Sequence, residues 1–320
     1  MDMNYLLFLQ DFRHNTQEVW TPLLENLSTF SVSYLLFAAV FIYWCVNKRY
    51  GLYTLAAFCL GEAVNSILKL TFCVYRPWIR DPRITPAGHI ISKVSSYSFP
   101  SGHTVSAATL YGGMALGCWQ KKSMRWLGVL CVILLLLTGF SRNYLGVHTP
   151  QDVLVGLCVG LLSLWGVVRA FDYLAIHPEQ ETRWLSVGLL LGILALIYIT
   201  YKPYPMDYVN GKLLVNPKKM MNNGYLEIGA WIGFCMARYV EKRWINFTEL
   251  GLHMKGVAFA LLGLVPAYFW MHHARKPLVH LLGAHGGRLV FSILLMLYVM
   301  AFFPYVIKKF NQKFLHQEKS

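Results

Sequence analysis

The stretch Trp126–Gly139, WLGVLCVILLLLTG, carries no charged side chain and is closed on either flank by Arg125 and Arg142. A helix crossing the hydrocarbon core of a bilayer needs about 20 predominantly apolar residues, and this run with its flanks supplies them. Leu185–Tyr201 repeats the pattern as clearly. Working outward, apolar runs recur near 31–47, 52–75, 103–120, 126–142, 150–170, 185–201, 225–240, 255–273 and 286–306. The seventh and eighth are the weakest, because Glu227, Arg238 and His272 sit close to their ends. The whole chain of 320 residues is 56% hydrophobic and 14% charged, with a mean hydropathy of +0.43, where a soluble globule carries about a quarter charged residues. The expected fold is all-α: a polytopic transmembrane helix bundle of about nine spans, forming a single integral membrane domain over residues 1–320.

Residues 1–20 alternate apolar and charged groups (NYLLFLQDFRH) and lack the unbroken apolar stretch of a cleavable signal peptide. An amphipathic N-terminal segment lying along the membrane interface is expected there. All seven cysteines fall within the apolar runs, with neither metal-ligand nor disulfide spacing, and read as packing residues. His272, His273, His280 and His285 lack a carboxylate or cysteine at ligand spacing, so no metal and no cofactor is expected. The net charge of +14 is spread over short loops. Nucleic-acid binding wants it clustered on a soluble face; membrane loops and an anionic substrate fit better.

The run at 126–139 ends in Ser141-Arg142, and His148, Thr149-Pro150 and Asp152 follow before the next run. Proline after threonine marks a helix start. Asp152 lies four residues after His148, so one helical turn brings its carboxylate beneath the ring. A carboxylate accepting one imidazole N–H fixes the tautomer and leaves the other nitrogen free as a nucleophile. Asp152 also suits a plain helix N-terminus, where the dipole favours an acid.

Upstream, Pro100-Ser101-Gly102-His103 opens the run at 103–120. The first turn of a helix offers free N–H groups to an anion, Gly102 permits close approach, and Ser101 adds a hydroxyl. An ordinary N-cap would have the same sequence. His103 is then placed to protonate a leaving oxygen. Further upstream, Lys69 shares a stripe with Glu62 and Asn65 at spacings of 7 and 4, and Arg76-Pro77 follows. Lys69 alone would read as a side chain snorkelling to the interface; with Arg76 it supplies a point charge beside a planar fork, the pair a phosphate takes.

In order and spacing the three pieces, Lys69–Pro77, Pro100–His103 and Ser141–Asp152, resemble the three-part motif of the type 2 phosphatidic-acid phosphatase superfamily. The motifs cover residues 69–152, and the resemblance extends over about 1–170, a catalytic core, with 171–320 as additional transmembrane helices. What the resemblance implies is metal-free hydrolysis of a phosphate monoester or pyrophosphate of a membrane lipid through a phosphohistidine. His148 matches the nucleophile, Asp152 its partner and His103 the general acid. Lys69, Arg76, Ser101, Gly102 and Arg142 match the phosphate cradle. An arrangement of nine spans, with the first motif placed after span two, is similar to that of the glucose-6-phosphatase and sphingosine-phosphate phosphatase branches.

Three rival readings keep the cradle: a sugar-phosphate phosphatase, with a polar entrance instead of an opening to lipid; a transporter or binding protein that has adopted the fold; and a vanadate-dependent haloperoxidase, a class that is soluble as a rule. The expected partners are a phosphorylated lipid substrate and membrane lipids, with no nucleic acid. Nine spans put the two motif loops on one side. That side holds six cations belonging to the motifs or the loop between them: Lys69, Arg76, Arg80, Arg83, Lys93 and Arg142. With these set aside, Lys and Arg are in excess on the opposite side, so the positive-inside rule places the site extracytoplasmically. A bacterial plasma membrane is the expected location.

Overall fold

The computed structural model describes residues 2–87, 96–209 and 211–317, without the side chains of 212 and 314–317; Lys93 lies outside the described residues. The chain is helical nearly throughout. After α1 (Asp2–Asn15), α2 (Thr21–Ser33) and α3 (Leu35–Phe41) run into a π-turn at Ile42–Val46. Then come α4 (Lys48–Phe72), the short α5 (Pro77–Arg80), α6 (Gly102–Trp119), α7 (Arg125–Tyr144), α8 (Pro150–Ile176) and α9 (Glu181–Tyr201). The remainder is α10 (Pro217–Val240), α11 (Met254–Phe269), α12 (Arg275–Leu297) and α13 (Phe303–Gln317). A two-residue strand pair, Tyr208–Val209 with Lys212–Leu213, sits between α9 and α10.

All nine apolar intervals fall on helix. Six helical segments among the described residues are long and apolar enough to cross a membrane. One of these, Met254–Lys313, turns back on itself: Gly283 adopts φ 75°, Trp270 Nε1 donates to Phe291 O at 3.1 Å and Tyr298 Oη to Gly263 O at 2.8 Å. The two intervals that miss the hydropathy standard are α6 and α10. The reason is position. α6 packs against α4, α7 and α8, and α10 against α4, α9 and α12, so neither needs a fully apolar surface. Their sequences are accordingly rich in Gly, Ser, Thr and Asn.

Helix starts follow local chemistry. Asn47 caps α4 by accepting from Tyr50 N at 3.1 Å. Thr149 and Asp152 form a reciprocal capping box at the start of α8, with Pro150 in the first turn. Asn216 caps α10, again followed by proline, so this helix begins eight residues before the 225–240 interval and takes in the end of the long polar segment 202–224. Helices α4, α6 and α8 cross closely. A Cβ on Gly156 would lie 2.7 Å from Ser101 O, and one on Gly160 2.5 Å from Ala108 Cβ, so these crossings tolerate no larger residue.

Helix α1 packs by its Leu6, Leu9 and Arg13 face and leaves Tyr5, Phe8 and Phe12 exposed. Arg13 is buried and donates to Tyr144 O at 3.1 Å and Thr85 O at 2.6 Å. The segment thus braces the loops that follow α5 and α7.

Candidate active site

The C-terminal end of α4, the N-terminal ends of α6 and α8, and one wall of α10 enclose a cavity of about 270 Å³. Lys69, Arg76, Gly102, His103 and His148 line it together. Five of the eight residues singled out from the sequence therefore face one space, and the other three adjoin it.

Arg76 organises the front of the cavity. Its guanidinium donates to Ser96 O at 3.0 Å, Ser96 Oγ at 2.6 Å and Val147 O at 2.7 Å, and lies 2.9 Å from His148 Nε2. A guanidinium can only donate. His148 Nε2 is therefore the acceptor nitrogen, and the ring proton belongs on Nδ1. That nitrogen faces Asp152 Oδ2 at 3.5 Å. The same carboxylate oxygen accepts from Ser98 Oγ at 2.5 Å and Thr149 N at 2.8 Å. Burial and the neighbouring Arg76 charge push His148 well below the ordinary histidine pKa, against a smaller upward pull from Asp152. A neutral imidazole, unprotonated at Nε2 with that lone pair turned to Arg76, is thus the state the surroundings favour.

Lys69 donates to Pro100 O at 2.5 Å, with Ser98 O and Tyr97 O at 3.3 and 3.4 Å, and so holds the 97–100 loop against α4. Ser101 is fully buried at the N-cap of α6. Its amide donates to Asp152 O at 2.9 Å and its hydroxyl accepts from Thr104 Oγ1 at 2.9 Å. Gly102 follows where α6 meets α4; a Cβ there would sit 3.1 Å from Asn65 Nδ2. Arg142 donates to Ser28 Oγ at 2.9 Å, while its Nε is buried without a partner. It stands close enough to His103 and Arg76 to act on their charge.

Sequence reasoning missed several participants. Ser98, which fixes the Asp152 carboxylate, belongs to no motif. Asn143 donates to His148 O at 2.9 Å and fixes the turn before α8. Glu227, taken only as a blemish near the end of a weak span, lines the cavity with Asn223 and Met220 of α10. No local signal marks these three, since each acts through contacts distant in sequence or through an ordinary turn. A larger cavity, about 450 Å³, lies at the other end of α4 beside Lys48 and Arg238. Its buried charges are matched, Arg238 with Glu181 and Glu241 at 2.7 and 2.5 Å and Lys48 with Glu241 at 2.7 Å. No histidine lines it, so it holds no counterpart of this chemistry.

Comparison with known proteins points the same way. Residues 50–176 match the model of the PAP2 superfamily. Phosphatidylglycerophosphatase B of Bacillus subtilis (strain 168) is 35% identical over 127 residues, 38% of this chain and 58% of that protein. Undecaprenyl-diphosphatase BcrC of the same organism is 27% identical over 190 residues, 57% of this chain and 91% of that one. The crystal structure of a transmembrane PAP2-type phosphatidylglycerolphosphate phosphatase from Bacillus subtilis is 25% identical, with a TM-score of 0.40, covering 53% of this chain and 92% of that chain. The chain spans about half to three fifths of the length of the first relatives it matches. The stretch that matches the PAP2 superfamily, residues 50–176, is the one that holds all eight candidate residues.

Proposed function

We propose that the chain is a membrane phosphatase that removes phosphate from a phosphorylated lipid, monoester or pyrophosphate, through a phosphohistidine at His148. The observation that carries this reading is the pairing of His148 and His103 on one cavity, with His148 Nε2 unprotonated and Arg76 beside it. The Nε2 lone pair attacks phosphorus and the bond to the leaving oxygen breaks. His103 gives its proton to that oxygen. A water then attacks phosphorus, returns one proton to His103 and breaks the N–P bond, releasing phosphate. Lys69, Arg76, Arg142, the Ser101 hydroxyl and the free N–H groups at the start of α6, around Gly102, meet the charge that develops on the equatorial oxygens, usually the largest catalytic term. These fixed cations supply the charge for which many phosphoryl-transfer sites use a metal ion.

In the same reading the chain crosses the membrane nine times and α1 lies at the interface. Residues 1–170 are the catalytic core, 171–320 supply further helices, and the site faces the extracytoplasmic side of a bacterial plasma membrane. The relatives named for phosphatidylglycerophosphatase and undecaprenyl-diphosphatase activity support a lipid substrate. A sugar phosphate is the alternative substrate, favoured by the polar walls of the cavity.

The test is phosphate release by purified protein in EDTA from lipid monophosphates, lipid diphosphates and glucose 6-phosphate. Release from lipids is expected; release from glucose 6-phosphate alone would replace the substrate class. The role of His103 has its own signature. His103→Gln should slow alkyl phosphates by about 10²-fold. With p-nitrophenyl phosphate, whose leaving group needs no proton, it should cost less than tenfold. Equal losses on both would remove His103 as the acid.

A further inference from the structure

The cavity does not stop at the phosphate site. Glu62 lies seven residues before Lys69 on α4, about 10 Å deeper at 1.5 Å per residue, and it lines the same space. Ser106, one turn into α6 beyond His103, donates to Glu62 Oε1 at 2.5 Å. Ser66 donates to Glu227 across the gap between α4 and α10. Asn65, 2% exposed, also lines the cavity, and its Oδ1 is buried without a hydrogen-bond partner. Asn223 stands one turn from Glu227 on α10.

The chamber behind the cationic front is therefore rich in acceptors. Ser66 and Ser106 each satisfy one carboxylate oxygen, leaving capacity on both acids and on Asn65. A buried acceptor without a donor is costly, so the chamber calls for a donor-bearing guest. Its place along the reaction axis says which part of a substrate enters. In-line displacement sets the leaving oxygen opposite His148, on the side of its proton donor His103; Ser106 follows His103 by one turn of α6, and Glu62 Oε2 stands 3.9 Å from where a Cβ on Gly102 would lie. The alcohol side of the ester points into the chamber.

We propose that Glu62, Asn65 and Glu227 form a leaving-group subsite that takes a hydrogen-bond donor, hydroxyl or ammonium, carried close to the phosphate ester on the alcohol side. The proposal rests on the phosphatase reading and narrows it. A plain alkyl or polyprenyl chain brings no donor, and the second phosphate of a diphosphate would set its own acceptor oxygens against Asn65 Oδ1. α10 lies outside the PAP2-matched residues, so one of the three subsite residues, Glu227, comes from the C-terminal helices, which gives them a part in selectivity.

The experiment compares kcat/KM of the purified full chain for four phosphomonoesters: lysophosphatidate (hydroxyl), sphingosine 1-phosphate (ammonium and hydroxyl), a plain alkyl phosphate of matched chain length, and glucose 6-phosphate. Farnesyl diphosphate is the fifth arm. At least one donor-bearing ester should exceed the alkyl phosphate by tenfold or more, and the first two arms separate hydroxyl from ammonium recognition. Preference for glucose 6-phosphate would keep the subsite and replace the lipid. Glu227→Leu should cut the preferred donor-bearing ester at least tenfold more than it cuts the alkyl phosphate. Glu227→Gln, which keeps shape and one acceptor, should fall between. Turnover of the alkyl phosphate reports that each variant is folded. Equal rates for all monoesters, a preference for the diphosphate, or equal losses on all esters in Glu227→Leu would overturn the subsite and leave the phosphatase reading standing. No release from any ester would overturn both.

Discussion

Replacing His148 with alanine is expected to lower phosphate release by at least roughly 10⁴-fold, the scale on which loss of a covalent nucleophile is felt, while the bundle stays folded. The ring is buried, yet no neighbour depends on it alone. Its backbone is held by Asn143 Nδ2 at 2.9 Å and by its own amide, which donates to Arg142 O at 3.3 Å. Without the imidazole, Arg76 keeps Val147 O and both Ser96 acceptors, and Asp152 keeps Ser98 Oγ and the Thr149 amide. A neutral imidazole is no counter-ion, so its removal deprives neither Arg76 nor Asp152 of one, and the severe cost of breaking a buried ion pair does not arise. The cations of the cradle remain, so inorganic phosphate should still protect the variant against heat. Acid-quenched wild-type protein given ³²P-labelled substrate should carry acid-labile label, and the variant none. A variant within tenfold of the wild-type rate would sink the phosphohistidine mechanism.

The helical segments that hydropathy marks were legible because lipid-facing surfaces must be apolar along their length, as in WLGVLCVILLLLTG. The two helices that hydropathy undervalues, α6 and α10, are the ones buried among the others, where Gly, Ser and Asn are at home. The three motifs were legible because each sits at a helix end, and helix ends announce themselves locally through Pro100-Ser101-Gly102 and Thr149-Pro150. Asp152 was legible as the group that fixes the His148 tautomer, but which ring nitrogen stays unprotonated was not, because it depends on where the Arg76 fork points, 72 residues away. Nor was the chamber: Glu62 was noticed on the Lys69 stripe, but its facing wall comes from α10, more than a hundred residues downstream, with no motif to mark it. The resemblance to the phosphatase family suggested which groups react and was silent on the wall of α10.

Asp152 offers the sharper test, because it serves both the fold and the chemistry and one substitution separates them. As an N3 residue it accepts from the Thr149 amide and closes the capping box of α8; as a carboxylate it faces His148 Nδ1. Asparagine keeps an oxygen for the Thr149 amide and for Ser98 Oγ, so Asp152→Asn should cost well under the ~1 kcal/mol typical of a lost cap. It removes the negative charge that steadies the imidazolium-like ring once Nε2 bonds phosphorus. With Ser98 and Thr149 holding the amide oxygen, the remaining NH₂ favours the tautomer with its proton on Nε2. Turnover is expected to fall by roughly 10³- to 10⁴-fold. The pH profile then distinguishes positioning from damage. His148 is depressed below the ordinary 6.5 by burial and Arg76, with Asp152 pulling the other way. In the wild type the acid limb of kcat/KM, where His148 gains a proton and stops attacking, should therefore lie below pH 6.5. Rate is retained above that limb and lost as pH falls through it. Taking away the Asp152 charge removes an upward pull, so the limb should move to still lower pH as the plateau drops. A loss that merely scales the whole profile, with the limb unmoved, would make Asp152 a helix cap and nothing more.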